Sequence, residues 1–297
     1  MDGILNINKA TGMTSHDVVA RIRKLLHQRR VGHAGTLDPA ASGVLPICIG
    51  QGTRIAEYLS ESGKAYQAEI TFGIVTDTYD AEGSIIRRAD TSSLTLSQIE
   101  ETLPHFLGPQ QQLPPRYSAI KIQGQPAYKR VRSGEEITLE ARAIEIHQLQ
   151  VLAWEPPRLT LAVECSKGTY IRSLAYDLGE HLGYGAYLSA LIRTRSGPFT
   201  LASSATLEQL AEANEEEIVS KYLLPADSAL QDYPALALDA ATIERVLHGN
   251  AFRDPRVHVQ PEATLARIYD TEGHFLAIAT WNSQQQQWQP KKVFSST

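Results

Sequence analysis

Residues 32–46, GHAGTLDPAASGVLP, hold one carboxylate, Asp38, in a short segment rich in glycine. An ionised carboxylate can attack an electron-poor carbon or stabilise a carbon that develops positive charge. The segment could also be a simple turn, because aspartate followed by proline is common where a chain reverses direction. Asp38 is therefore a candidate catalytic residue, and its neighbours must decide between a catalytic role and a simple turn.

Other kinds of site find no support in the sequence. The chain has no GxGxxG motif and no Gly-Lys-Ser/Thr motif for binding phosphates. Its histidines show no HExxH or HxxxH spacing with acids nearby, and Cys48 and Cys165 form no CxxC pair. We therefore expect neither a metal nor a cofactor. A glycoside hydrolase would need a second carboxylate, and the nearest candidates, Asp77 and Asp80, are interpreted as loop-organising residues or substrate contacts.

Five segments in the same order carry a family resemblance. They are NKATGMTS (8–15), the Asp38 segment (32–46), YQAEITFGIVTDTYDAEG (66–83), PPRYSAIKIQGQPAYKRVRSG (114–134) and CSKGTYIRSLAYDLGEHLGYGAYLSALIRTRSG (165–197). Together they resemble the TruB family, the pseudouridine synthases of the bacterial tRNA type. The sequence departs from the family where it has Ala10 after Lys9, a position usually occupied by proline, and Ile192, where a second arginine is frequent.

The resemblance implies a reaction. One uridine in the T-loop of tRNA, at position 55, is isomerised to pseudouridine, and Asp38 is the essential carboxylate. The C1′–N1 bond breaks, the uracil turns and C1′ joins C5, so the enzyme needs a group that traps an electron-poor sugar or adds to the base. Arg172 is implied as the countercharge of Asp38, and Tyr66 as the aromatic side chain against the uracil. Without the motif, Arg172 would be a helix-surface residue and Tyr66 a core residue.

The same resemblance implies a set of substrate contacts. They are His33, Lys9, Asp77, Lys121, Tyr170 and Leu191. A uridine inside a folded T-loop is expected to swing out into the pocket, at a cost of a few kcal/mol of lost stacking. His33 then fills the vacated space or stacks on neighbouring bases, while Tyr170 and Leu191 line the pocket or serve packing alone. Lys121 belongs to an insertion, residues 113–134, that closes over the T-arm.

The charge is unevenly distributed along the chain. The whole chain of 297 residues carries a net charge of −5, which argues against a protein that coats nucleic acid without preference. Residues 1–54, however, have a net charge of +4 and residues 116–132 one of +5, and the second segment also contains Tyr117 and Tyr128. Cations attract phosphates and aromatic rings stack on unpaired bases. The interpretation as a solvated basic loop stays open at this point.

Hydrophobic periodicity predicts the elements that position these residues. We predict helices over 15–29, 97–107 and 207–217 and from 171 to about Gly183, and strands over 65–72, 143–154 and 159–165. Helices and strands interleave without a regular βαβ period, so we expect an α+β catalytic domain with a mixed or antiparallel sheet and flanking helices. Residues 239–297 read as short strands with turns.

We accordingly expect a catalytic domain over residues 1–232 and a small β-rich, PUA-like domain that contacts RNA over 233–297. The sequence predicts a cytoplasmic protein with no signal peptide and no membrane span. Its partner is expected to be the tRNA T-arm, with no obligate protein partner, and the chain is expected to be a monomer. The rival interpretation is an RNA-binding or RNA-folding module in which the Asp38 loop is only structural.

Overall fold

The computed structural model describes residues 1–118, 121, 122, 124–127, 130, 133, 135, 137–253 and 264–294, with the backbone alone at 121, 122 and 126. Of the predicted basic insertion, Tyr128, Lys129 and Arg132 lie outside the described residues, as does the side chain of Lys121.

The strands and helices follow one another without a repeating unit. The strands are β1 Gly3–Lys9, β2 Val31–His33, β3 Ser42–Ile49, β4 Lys64–Phe72, β5 Ile74–Thr76, β6 Ile85–Arg88, β7 Gly108–Gln112, β8 Lys121–Ile122, β9 Gln125–Pro126, β10 Arg142–Glu155, β11 Arg158–Cys165, β12 Ala186–Ser196, β13 Phe199–Thr200, β14 Leu223–Leu224, β15 Ala235–Ala237, β16 Leu265–Tyr269, β17 Phe275–Asn282 and β18 Gln287–Val293. The helices are α1 Ser15–Leu25, α2 Ala56–Glu61, α3 Leu96–Thr102, α4 Ile171–His181, α5 Leu207–Glu212, α6 Glu215–Glu217 and α7 Ala240–Leu247.

One large mixed sheet organises most of the chain. Its strand order is β14-β1-β3-β12-β4-β11-β10-β7, with β2 paired to β3 and β13 paired to β12. Neighbours run antiparallel except β3 and β12, which are parallel. Strand β12 thus joins the strand that follows the Asp38 loop to the strand that carries Tyr66. The α+β class and the mixed sheet predicted from the sequence are confirmed.

Helices pack against the sheet through the apolar stripes that the sequence shows. Helix α1 begins with a capping box, in which the Asp17 amide donates to the Thr14 hydroxyl and the Thr14 amide donates to the Asp17 carboxylate. Its apolar residues Val18 and Ile22 are buried against β1 and β3 in one cluster, and each such side chain stabilises the fold by about 1.5–3 kcal/mol. Helices α3 and α4 contribute to a second cluster with β4, β10 and β11. The first cluster also includes Leu37 and Ala41, so it holds the loop between β2 and β3 against the sheet.

A second sheet, β15-β16-β17-β18, forms with α7 a small unit whose core includes the fully buried Trp288. This unit contacts α2 and the residues before it, through an ion pair between Lys292 and Glu57 and a hydrogen bond from Arg54 to the Val293 carbonyl. The β-rich character is confirmed, and Ala240–Leu247, which the sequence analysis placed among short strands, is helical. The side chain of Asp239 caps it by accepting from the Thr242 amide.

Helix lengths also differ from the sequence prediction. Helix α1 ends at Leu25 rather than at residue 29, because Leu26 caps it and His27 adopts a left-handed backbone with φ of 50°. The acidic stretch 207–217 forms two short helices, and Asn214 caps the second. In the part of the chain that the structure describes, no helix is both long and apolar enough to span a membrane.

The contact between β3 and β12 can be tested with two glycines. Gly43 and Gly183 have φ of +102° and +84°, so alanine is strained at either position by about 1–2 kcal/mol. At Gly43 the added Cβ would also lie 2.3 Å from the Arg193 carbonyl oxygen, whereas at Gly183 it would meet no atom within 4 Å. We expect Gly43→Ala to lose clearly more stability than Gly183→Ala in urea unfolding. Equal losses would contradict the close approach of the two strands.

Candidate active site

Asp38 lies in the loop between β2 and β3, and neighbouring hydrogen bonds hold the loop on both sides of it. The Ser15 hydroxyl bonds both the amide and the carbonyl of Leu37, at 2.9 and 3.0 Å. The Gly12 amide donates to the Pro39 carbonyl at 2.9 Å. The Asp38 side chain itself is 45% exposed. The loop is therefore anchored while its carboxylate faces open space.

Arg172, in the first turn of α4, bridges two carboxylates. Its Nη2 lies 2.9 Å from Asp38 Oδ2 and its Nη1 lies 3.2 Å from Asp80 Oδ2. Nη1 also donates to the Tyr117 carbonyl at 3.1 Å. The guanidinium is only 8% exposed, and its planar fork fixes the direction of each carboxylate. The structure pairs Asp38 with Arg172, which the family resemblance implied. It also gives Arg172 a second carboxylate partner, Asp80, which the resemblance did not imply.

Asp80 is held in turn by its own loop. Its Oδ1 accepts from the Thr78 hydroxyl at 2.5 Å and from the Glu82 amide at 3.1 Å. Asp77 Oδ1 accepts from the Ser84 amide at 2.8 Å, which closes the same loop. Asp77 and Asp80 thus both organise the loop, which is one of the two roles that the sequence analysis offered for them. A contact of Asp77 with the substrate stays a prediction.

A cavity of about 390 Å³ opens beside this ion pair. Asp38, Tyr66, Tyr170, Arg172 and Leu191 all line it, so the structure brings together the residues that the sequence nominated for the centre and the pocket wall. Burial raises the pKa of the Tyr66 hydroxyl, and the nearby guanidinium of Arg193 opposes that rise. Burial likewise raises the pKa of Tyr170. A cavity of this size with a few convergent polar groups is typical of a site for a small ring system.

Lys9 lies beneath the Asp38 loop with no exposed surface. Its Nζ donates to the carbonyls of Met13, Ala10 and Pro39, at 2.8, 2.9 and 3.4 Å. Burial lowers the pKa of Lys9 to about 8, although the charge of Asp38 acts in the other direction. In this structure Lys9 ties two loops together, and its role as an RNA contact stays a prediction.

His33 is partly buried at the end of β2, edge-to-face with His16 at 5.4 Å between ring centroids. Burial lowers its pKa, and no described residue bonds its buried Nδ1. His16 borders a second cavity, of about 700 Å³, that meets the first at Asp38 and Arg172. The contact of His33 with RNA remains a prediction.

Sequence reasoning missed two residues of the site. Asp80 was weighed only as a loop or substrate residue, although its segment 66–83 had been singled out. Arg193 was not considered, yet its fully buried side chain lines the cavity. A charged residue in a motif that folds into a buried element could have indicated both Asp80 and Arg193, because a buried charge requires partners.

The fold and the site together define an enzyme whose Asp–Arg pair opens onto a pocket lined by tyrosines. Comparison with known families agrees in detail. The model described as TruB family pseudouridylate synthase (N terminal domain) matches residues 23–171, and the model of the tRNA pseudouridylate synthase B C-terminal domain matches residues 172–231. This chain belongs to the TruB family of pseudouridylate synthases, which are isomerases.

Curated relatives support the assignment over nearly the whole chain. The chain is 49% identical over 84% of its length, and 83% of the relative's, to tRNA pseudouridine synthase B of Symbiobacterium thermophilum. It is 43% identical to the protein of the same name from Dehalococcoides mccartyi (strain CBDB1), over 99% of this chain and 97% of that protein.

Two solved structures share the fold over 99% of this chain and 85% of theirs. One is described as a Cbf5-Nop10-Gar1 complex, with a TM-score of 0.78 and 28% identity. The other is an H/ACA RNP bound to a substrate RNA containing 2′-deoxyuridine, with a TM-score of 0.76 and 25% identity.

The bridge through Arg172 predicts a role for Asp80 in the reaction. Asp80→Asn removes the second charge that holds the guanidinium, so Arg172 is held less firmly in the position that aligns Asp38. We expect pseudouridine formation in single turnovers to slow by about 100-fold, with RNA affinity little changed. Glu82→Gln in the same loop is the matched control and should keep its rate. An Asp80→Asn variant as fast as the control would show that Asp38 is aligned without the bridge.

Burial of Lys9 predicts a pH-dependent difference in stability. Between the folded-state pKa of about 8 and the ordinary value of 10.5, the unfolded chain binds more protons at Lys9 than the folded chain does. Stability relative to a Lys9→Met variant should therefore rise as the pH increases through this window. We expect the wild type to gain about 1 kcal/mol or more between pH 7 and pH 10, measured by urea unfolding of both proteins. A difference that stays constant with pH would contradict the buried ammonium group.

Proposed function

We propose that this enzyme isomerises the uridine at position 55 in the T-loop of tRNA to pseudouridine, with Asp38 as its essential carboxylate. The observation that carries the proposal is the ion pair between Asp38 and Arg172 at the mouth of a cavity that also exposes Tyr66. The relatives named tRNA pseudouridine synthase B support tRNA as the substrate.

The reaction is balanced without any added reagent. The C1′–N1 bond of uridine breaks, the uracil rotates within the pocket, and C1′ bonds to C5. The proton that leaves C5 is matched by one that N1 gains, so substrate and product have the same composition. No oxidant, reductant or cofactor enters this balance, and the proposal requires no metal.

Asp38 serves each of the routes open to such an isomerisation. Its carboxylate can attack C1′, add to the uracil ring, or take a proton from the ribose, and each route needs an anionic oxygen held at the reacting carbon. Arg172 provides that hold, because the fork leaves little freedom to a carboxylate bound at 2.9 Å. The second Asp38 oxygen and the exposed part of its side chain remain available to the substrate.

Tyr66 and its neighbours are proposed to receive the uracil. The raised pKa of Tyr66 favours a protonated phenol that stacks on the base over a phenolate that acts as a general base. Tyr170 and Leu191 complete the wall of the pocket. These residues give the ring an apolar surface on which it can turn after the C1′–N1 bond has broken.

Access to the pocket requires the nucleotide to leave the T-loop, at a cost of a few kcal/mol of stacking. We propose that His33 occupies the vacated space and that the basic insertion, residues 113–134, closes over the T-arm. Arg116, at the start of the basic segment, is exposed. Phosphate contacts of this kind recover part of the cost and make binding sensitive to salt.

The domain assignment is part of the proposal. We propose a catalytic domain over residues 1–232 and an RNA-contacting domain over 233–297. The family matches end at residue 231 and the small sheet begins at Ala235, which supports a boundary between them. We further propose a cytoplasmic enzyme that works as a monomer and needs no obligate protein partner.

The experiment is to incubate the protein with a synthetic T-arm stem-loop, map the modified nucleotide, and compare Asp38→Asn with the wild type. We expect conversion of the single T-loop uridine by the wild type, and a rate at least about 1,000-fold lower in the variant, because its amide can neither attack nor accept the proton. Asp90→Asn, at an exposed aspartate outside the site, is the matched control and should be as active as the wild type.

Three results would contradict the proposal. Activity in Asp38→Asn would remove the essential role of the carboxylate. Release of free uracil would indicate a glycoside hydrolase instead, and modification of a uridine elsewhere in the stem-loop would refute the T-loop position.

A further inference from the structure

Arg193 is a buried cation at the centre of the large sheet. It lies on β12, opposite Gly43 of β3 on one side and Tyr66 of β4 on the other. The residue is 1% exposed. Within the described residues, no carboxylate forms an ion pair with its guanidinium.

The guanidinium bonds instead to the backbone around Asp38. Its Nε donates to the Val44 carbonyl at 2.7 Å, its Nη2 to the Gly35 carbonyl at 3.0 Å and its Nη1 to the Thr36 carbonyl at 3.3 Å. Gly35 and Thr36 come three and two residues before Asp38, and Val44 belongs to the strand that follows the loop. One side chain therefore ties together both ends of the loop that carries the carboxylate.

The same guanidinium reaches the other wall of the pocket. Tyr66 and Arg193 are directly opposed on antiparallel strands, so their side chains share one face of the sheet. Arg193 and Tyr66 both line the cavity beside Asp38, and the guanidinium charge lowers the pKa of the Tyr66 hydroxyl against the rise that burial causes. Arg193 thus contacts both the loop of Asp38 and the aromatic ring that we assign to the uracil.

A purely structural role would be served better by an apolar side chain. Burying a guanidinium costs several kcal/mol, and carbonyl oxygens satisfy its hydrogen bonds without neutralising its charge. A charged, five-donor group is retained where only such a group can bond three carbonyls from both ends of the loop at once.

We propose that Arg193 is a positioning residue of the isomerisation: it fixes the distance between the Asp38 carboxylate and the Tyr66 ring, the two groups between which the uracil must lie. This inference rests on the proposed function. It predicts that Arg193 affects the chemical step far more than the binding of RNA, and that it acts partly through Tyr66.

The test compares Arg193→Gln and Arg193→Lys with Arg195→Gln. Arg195 is on the same strand but pairs with Glu164 away from the cavity, at 2.9 Å, and is the matched control. We expect the single-turnover rate on the T-arm stem-loop to fall about 100-fold in Arg193→Gln, with the RNA dissociation constant changed less than about threefold. Arg193→Lys should be intermediate, because lysine keeps the charge but cannot donate to all three carbonyls in the same geometry. Arg195→Gln should match the wild type.

A double-mutant cycle with Tyr66→Phe isolates the link to the ring. We expect the combined variant to be clearly faster than the product of the two single effects predicts, because Arg193 and Tyr66 are directly paired and act on the same wall of the pocket. Multiplicative effects, or an Arg193→Gln rate equal to that of Arg195→Gln, would overturn the inference. If Arg193→Gln does not fold, as judged by circular dichroism, Arg193→Lys decides: a loss confined to RNA affinity, or no loss, would overturn the inference equally. Inactivity of the wild type on this RNA would instead refute the proposed function.

Discussion

The site depends on one guanidinium that holds two carboxylates from separate parts of the chain. Arg172 reaches Asp38 with one nitrogen and Asp80 with the other, while it is almost entirely shielded from water. A guanidinium bound to one carboxylate could still rotate about that contact. Two carboxylates, one at each terminal nitrogen, fix the plane of the guanidinium. The two loops and the start of α4 must therefore fold together before Asp38 has a defined direction. This coupling explains why a loop residue that is nearly half exposed can still be held in one orientation.

The remainder of the fold supplies the supports that this arrangement needs. Strand β12 lies between β3 and β4. It therefore brings the Asp38 loop, which precedes β3, next to Tyr66 on β4. Two further buried cations, Lys9 and Arg193, donate to backbone carbonyls around the loop. Both side chains thus fix the backbone next to Asp38, Lys9 at the Pro39 carbonyl and Arg193 at the Thr36 carbonyl.

Much of this could be predicted from the sequence, and the exceptions have physical causes. Asp38, Tyr66 and Arg172 follow from motifs whose residue types suit the reaction, and β4 from its alternation of apolar and polar residues. Strand β12 was not predicted, because its buried and partly exposed residues follow no clean alternation along the strand. Helix α7 was mistaken for strand because it is short and lies among genuine strands. The second partner of Arg172 could not be found, since the contact joins residues 92 positions apart.

The most direct test of the Arg172 bridge is a crystal structure of the enzyme with a T-arm stem-loop that carries 5-fluorouridine at the target position. The account predicts that the nucleotide has left the loop and that its ring lies against Tyr66. It also predicts that a carboxylate oxygen of Asp38 lies within about 3.5 Å of the reacting carbon, and that Arg172 still joins Asp38 to Asp80. A nucleotide that remains stacked in the RNA, or an Arg172 that has left both carboxylates for a phosphate, would contradict it.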